Sequence, residues 1–126
     1  MNEKKIFRRV NILSKLVELQ LDIKVADRFF TRFKGLMFRK EPIRKEGLLI
    51  TECNSIHMFF MKFAIDVVML SKDGKVVKTI SNLQPWKLVG PVKKAYSTLE
   101  LPVGTIEKNE IRMGDRISLL NNKTAE

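Results

Sequence analysis

The sequence has one cysteine and one histidine. One thiol cannot close an intramolecular disulfide, and a single Cys with a single His leaves little from which to build a zinc site. The glycines, at positions 35, 47, 74, 90, 104 and 114, never cluster, so there is no P-loop and no dinucleotide fingerprint. No serine stands in a nucleophile-elbow pattern. Long apolar runs are missing as well. The longest stretch free of Asp, Glu, Lys and Arg is Cys53 to Met61, nine residues, where a membrane-spanning helix needs about 20. The start carries Lys4, Lys5, Arg8 and Arg9, but Asn11, Ser14, Lys15 and Glu18 interrupt the stretch behind them, whereas a signal peptide needs an apolar stretch of roughly 7–15 residues. These absences predict a cytoplasmic chain with no membrane span and imply no cofactor.

The residues that are present suit one globular domain over residues 1–126, with 44% hydrophobic and 30% charged residues. Basic residues dominate: 24 Lys and Arg against 14 Asp and Glu give a formal charge of +10. Residues 1–50 carry +7 of it and residues 51–126 carry +3. A basic half suits solubility first and nucleic acid second. In the second case Arg28, Arg32, Lys34, Arg39, Lys40, Arg44 and Lys45 are the candidate phosphate contacts. The aromatics Phe29, Phe30 and Phe33 among them are spaced for a core rather than for base stacking.

Along residues 17–25, Val17, Leu19, Leu21, Ile23 and Val25 alternate with polar residues. This period of two predicts a half-buried strand. Residues 6–13 suit a preceding strand. From Ala26 the period lengthens: Phe29, Phe30, Phe33, Leu36 and Met37 predict a short helix over about Ala26 to Lys34, with Gly35 ending it. Residues 38–46 form a charged loop around Pro42, followed by an apolar strand at 48–50. Asp73-Gly74 predicts a type I′ hairpin joining 65–72 to 75–81, with Leu70 facing Val77 and Val68 facing Thr79. Residues 82–94 read as a loop. Residues 96–101 and 116–120 read as strands, with a helical turn between Pro102 and Asn109. Together they predict a mostly β (α+β) fold: a compact antiparallel β barrel or sandwich with one or two short helices packed on it.

Several segments occur in a telling order: GLMFR at 35–39, CNSIHMFFMKFAIDVVML at 53–70, the DG turn, LQPW at 83–86, LEL at 99–101 and MGD at 113–115. The chain resembles, over about Ala26 to Leu120, the bacterial and archaeal family known as domain of unknown function 192. The resemblance implies a small, single-domain, β-rich fold, and it carries no reaction and no cofactor with it.

The chemistry-bearing residues gather in the middle of the chain. Cys53 and His57 are four apart, close enough to touch on a helix but about 13 Å apart along a strand. The local composition favours strand or loop, so a thiolate–imidazole dyad is the lesser reading and a packed cysteine with a hydrogen-bonded histidine the greater. Cys53, His57, Asp66 and Glu100 lack any metal-ligand spacing, so no metal is expected. Asp66 lies among apolar neighbours, where a carboxylate needs partners, and Arg39 or backbone N–H groups are the candidates. Lys62 follows an apolar wall and has Glu100 as its candidate partner. A register-pinning charge network is the plainer account of these residues. The functional account is a ligand site with an apolar floor of Phe59, Met61 and Trp86 and a few placed charges. Trp86, in a loop, is either a binding anchor or a lid over an open barrel end.

The leading expectation is therefore a binding module that takes a small ligand or a peptide segment through Phe59, Lys62, Asp66, Trp86 and Glu100. Association with nucleic acid through the basic N-terminal half is the alternative. An enzyme using Cys53, His57, Asp66 or Glu100 is the third.

Overall fold

The computed structural model describes residues 15–26 and 36–119. The strand expected at 6–13, nearly all of the expected helix and its Phe29, Phe30 and Phe33 lie outside them, as do Arg28, Arg32 and Lys34.

The alternation is kept from Val17 to Ile23, where it serves two strands rather than one, and it fails at Val25, which is 55% exposed while Ala26 is buried. β1 (Leu16–Leu19) and β2 (Asp22–Ala26) are separated by Gln20 and Leu21. β1 pairs in parallel with the last strand, β9 (Arg116–Leu119), in a two-stranded sheet. β2 pairs in parallel with β3 (Glu46–Ile50) at the edge of the main sheet. A break in backbone direction leaves the side-chain period intact, so the pattern alone does not show it. Ala26, the expected helix start, is instead the buried last residue of β2 opposite Ile50.

β4 (Ile56–His57), β5 (Ile65–Leu70), β6 (Val76–Leu83), β7 (Leu88–Val89) and β8 (Ser97–Leu101) complete the strands among the described residues. The main sheet runs β2-β3-β8-β5-β6, and β4 pairs with β7 in a small antiparallel sheet. The fold is β-rich, as expected, but among the described residues its main sheet ends on β2 and β6 and does not close into a barrel. The β1–β9 and β2–β3 pairs are parallel, which makes the pairing mixed. Among the described residues the helix is a single turn, α1 (Thr105–Lys108), between Pro102 and Asn109.

Every residue of β5 is buried, because the strand lies inside the sheet and both of its faces are covered. Val68 and Leu70 meet Leu99 and Leu101 of β8, Val17 and Leu19 of β1, Ile106 of α1 and Ile117 of β9. Ile65, Val67 and Met69 face the opposite way, into Met58, Met61, Phe63, Ile56 and Leu83. The sheet is the middle layer between these two cores.

The Asp73-Gly74 hairpin forms where expected, by a different turn. Only Gly74 takes positive φ, at 87°. The Gly74 N–H donates to Ser71 O and the Ser71 N–H to Lys75 O. This is a three-residue loop with a left-handed glycine rather than a type I′ turn. The extra loop residue places Leu70 opposite Val76, while Val68 still faces Thr79.

Candidate functional site

The candidate residues separate into two places. Asp66 and Glu100 lie in the sheet interior, at 1% and 5% exposure. Phe59, Lys62 and Trp86 lie at the surface.

The two carboxylates do not share a site. Asp66 is opposite Leu101, and Glu100 is opposite Val67 on β5 and Leu48 on β3. Paired residues share a face and successive residues alternate, so Asp66 faces the layer of β1, β9 and α1 while Glu100 faces the other core. A β-bulge explains part of Asp66's environment. β6 shifts register between the partners of Ile65 and Val67, leaving Ser81 and Asn82 outside the ladder, with Asn82 at φ 55°. The Asn82 N–H donates to Asp66 Oδ1 at 2.9 Å. The Gly104 and Ile106 N–H groups donate to Oδ2 at 3.1 and 2.9 Å. Backbone donors thus take the role considered for Arg39, which instead forks onto Glu46 at 3.0 and 3.1 Å. The hydrogen bond from Arg39 holds the Glu46 carboxyl below its ordinary range.

Glu100 has none of this. Its Oε1 is buried without a hydrogen-bond partner among the described residues, and burial pushes the carboxyl up to about 8. It therefore carries a proton at neutral pH. Lys62, its expected partner, is exposed and forms no ion pair among the described residues.

Cys53 and His57 make separate local bonds. The Cys53 thiol donates to Ser55 O at 2.9 Å, and His57 Nδ1 accepts the Phe59 N–H at 3.3 Å. Among the described residues no group of three or more His, Cys, Asp and Glu is placed to hold a metal ion.

The surface residues form a site of another kind. β4 runs into the turn Met58–Met61, closed by the Met61 N–H on Met58 O at 3.2 Å. Met58 and Met61 are buried in the core, which leaves Phe59 and Phe60 between them on the outside, 38% and 48% exposed. The segment entering β7 fastens to the same turn. The Trp86 N–H donates to Met58 O and the Met58 N–H to Lys87 O, both at 2.7 Å. Close approach of the two strands is possible because position 90 lacks a side chain: a Cβ there would lie 2.6 Å from Ser55 Cβ. On the other side the Phe38 N–H donates to Phe60 O at 3.1 Å.

These backbone bonds assemble a continuous strip of rings. Phe38 stacks on Phe60 with centroids 5.1 Å apart, Phe60 lies 5.1 Å from Trp86, Trp86 lies 5.9 Å from Phe59, and Phe59 stacks on His57 at 5.0 Å. Phe38 and Trp86 are 57% and 59% exposed. Phe38, Phe60 and Trp86 have φ of 66°, 64° and 70°, a left-handed conformation that bulky side chains rarely adopt. Such a conformation persists only where the surrounding bonds hold it, and it concentrates at binding and switch sites. Trp86 is therefore not a lid packed into an opening.

Phe59 and Trp86 are legible as candidates from the sequence; Phe38, Phe60 and the stacking role of His57 are not. The available signal is Met-Phe-Phe-Met, in which a tight turn cannot bury all four side chains. Next to Phe38 in the chain, residues 39–46 curve around an open concavity of about 610 Å³, lined by Arg39, Lys40, Pro42, Arg44, Lys45 and the carboxylates Glu41 and Glu46.

The family described as Uncharacterized ACR, domain of unknown function 192, matches residues 11–119. The chain belongs to this family. A UPF0127 protein of Pyrococcus furiosus is 36% identical over 108 residues, covering 83% of this chain and 92% of that one. One from Thermococcus kodakarensis is 40% identical over 100 residues, covering 76% of this chain and 63% of that one. Among solved structures, a protein of unknown function from Novosphingobium aromaticivorans aligns with a TM-score of 0.67 at 22% identity, covering 76% of this chain and 73% of that one. A Sinorhizobium meliloti protein aligns with a TM-score of 0.69 at 22% identity, covering 76% and 79%. These likenesses establish the β-rich fold and the membership of the domain of unknown function 192 family. No described helix of this member is long and apolar enough to cross a membrane.

Proposed function

We propose that this member of the family is a binding module whose working surface is the ring strip His57, Phe59, Trp86, Phe60 and Phe38. The observation that carries the reading is that three of these aromatics are held outward in left-handed backbone conformations by main-chain hydrogen bonds. A sequence that only needed to close two turns would place glycine there. Exposed rings joined by stacked and tilted contacts make an apolar surface that soluble proteins keep for contacts. Lys62 follows the Phe turn and Lys87 follows Trp86, which adds cations at the rim.

The ligand suited to such a surface offers a flat or apolar group to the rings and negative charge to the lysines. A small molecule and a chain segment both qualify. Asp66 and Glu100 support the sheet beneath and do not touch the ligand.

Trp86 is the only tryptophan, so its emission reports directly on the strip. Aromatic anions and acidic aromatic peptides are expected to quench or shift it in a saturable way, and Phe60→Ala is expected to abolish the response. If no compound in a broad panel perturbs Trp86, or binding compounds leave its emission unchanged, the strip is not the binding surface.

A further inference from the structure

The strip ends on Phe38, the residue that leads into the basic loop 39–46, and the chemistry of the two together matches a particular class of chain. We infer that it binds single-stranded nucleic acid. This deepens the ligand-platform reading and rests on it.

Two requirements have to be met together. Unpaired bases need π-faces on which to stack, and their phosphates need cations alongside. The first is met by the rings of Phe38, Phe60 and Trp86, which are 57%, 48% and 59% exposed. The second is met where the strip ends. Phe38 leads directly into loop 39–46, whose exposed Lys40, Arg44 and Lys45 surround the concavity. Of the two carboxylates there, Glu46 is already matched by the Arg39 fork. The segment carries a net charge of +2 within a chain of +10.

Two competitors fit less well. Duplex bases are stacked on one another and offer no faces to protruding rings. Insertion into an anionic membrane would bury the rings but would also drag the Arg39–Glu46 pair and the charged loop toward the apolar phase, where charges are expensive. Stacking on His57 and an open polar groove suit a wet, anionic chain.

The test is titration of the full-length chain with fluorescent single-stranded DNA and RNA of about 12 nucleotides, with a duplex of the same length as comparison. Single strands should bind more tightly than the duplex and quench Trp86. The log–log slope against salt should be near −0.7 per neutralised phosphate. Trp86→Ala or Phe60→Ala should weaken single-strand binding about 5- to 150-fold, the range seen when a stacking ring is removed. The double variant Lys40→Glu, Arg44→Glu should reduce the magnitude of the slope by about 1.4 if both cations neutralise phosphates. This pair lies on an exposed loop and reads the proposal even if a ring variant fails to fold. No binding at low salt overturns the inference. So does equal binding of duplex, or binding that ring and loop variants leave intact. Vesicles containing anionic lipid are the third arm: ring-dependent binding to them without oligonucleotide binding assigns the surface to membranes. Quenching of Trp86 by small aromatic anions or peptides alone overturns the nucleic-acid inference and leaves the platform reading standing. Silence in every arm overturns both.

Discussion

Asp66 and Glu100 sit on adjacent strands, one step apart in the ladder, and both are hidden from water. They solve the same problem in opposite ways. Asp66 collects backbone N–H groups freed by the β6 bulge and by the turn into α1. Glu100 looks into a face of Leu48, Val67 and Met69 and has no donor for Oε1 among the described residues. A buried carboxylate is tolerated either by hydrogen bonds to its oxygens or by keeping its proton. The first device ties three chain segments together. The second makes the core sensitive to pH. Both carboxylates are buried, in contrast to the exposed ring strip.

Removing the tie should give the largest effect. Asp66→Ala strands the N–H groups of Asn82, Gly104 and Ile106 beside an apolar gap. The Ile106 donor is buried and those of Asn82 and Gly104 are part-buried. A buried unsatisfied donor costs about 1–3 kcal/mol and a part-buried one less, so a loss of about 2 to 5 kcal/mol in urea unfolding is expected. A loss below about 1 kcal/mol would mean that water reaches these donors and the tie is not structural.

The comparison sharpens at Glu100 through pH. The carboxyl titrates near 8 in the folded protein, above its ordinary value of 4.5. Between those values the folded state binds more protons than the unfolded state, so stability falls as pH rises. The contribution is fully present below about 4.5, declines through about 8 and then levels off. The slope reaches about 1.4 kcal/mol per pH unit. Glu100→Gln keeps the shape and cannot ionise. Its urea stability should show a flatter profile over this window and should exceed that of the parent at pH 8. Parallel profiles for the two proteins would show that Glu100 finds a partner in solution.

How far the sequence reaches is set by the range of the interactions. The alternation at 17–25 is a local property and correctly marks the buried side chains Val17 and Leu19, yet the switch from β9 to β3 as partner at Gln20-Leu21 depends on remote strands. The Asp-Gly pair locates the hairpin because turn chemistry is local, while its turn type depends on the pairing register. Asp66 is recognisable as a carboxylate in need of donors, but those donors come from 16, 38 and 40 residues away. Phe59, Lys62 and Trp86 stand out as a charged and aromatic set. Phe38 and Phe60 do not, because left-handed phenylalanines run against local preference. Their conformation is imposed by main-chain bonds between loops that are far apart in sequence.

The smallest effect on stability should come from the residue most exposed to ligands. Trp86 is 59% exposed, and the bonds that hold its loop are made by its own backbone N–H and by Lys87 O. Trp86→Ala therefore keeps the scaffold and removes mainly ring contacts with Phe59 and Phe60, so its unfolding free energy should stay within about 0.5 kcal/mol of the parent. A loss of about 2 kcal/mol or more would place Trp86 with the core instead of the surface. The near-neutral result combined with lost binding is the pattern that separates a ring kept for contact from a carboxylate kept for architecture.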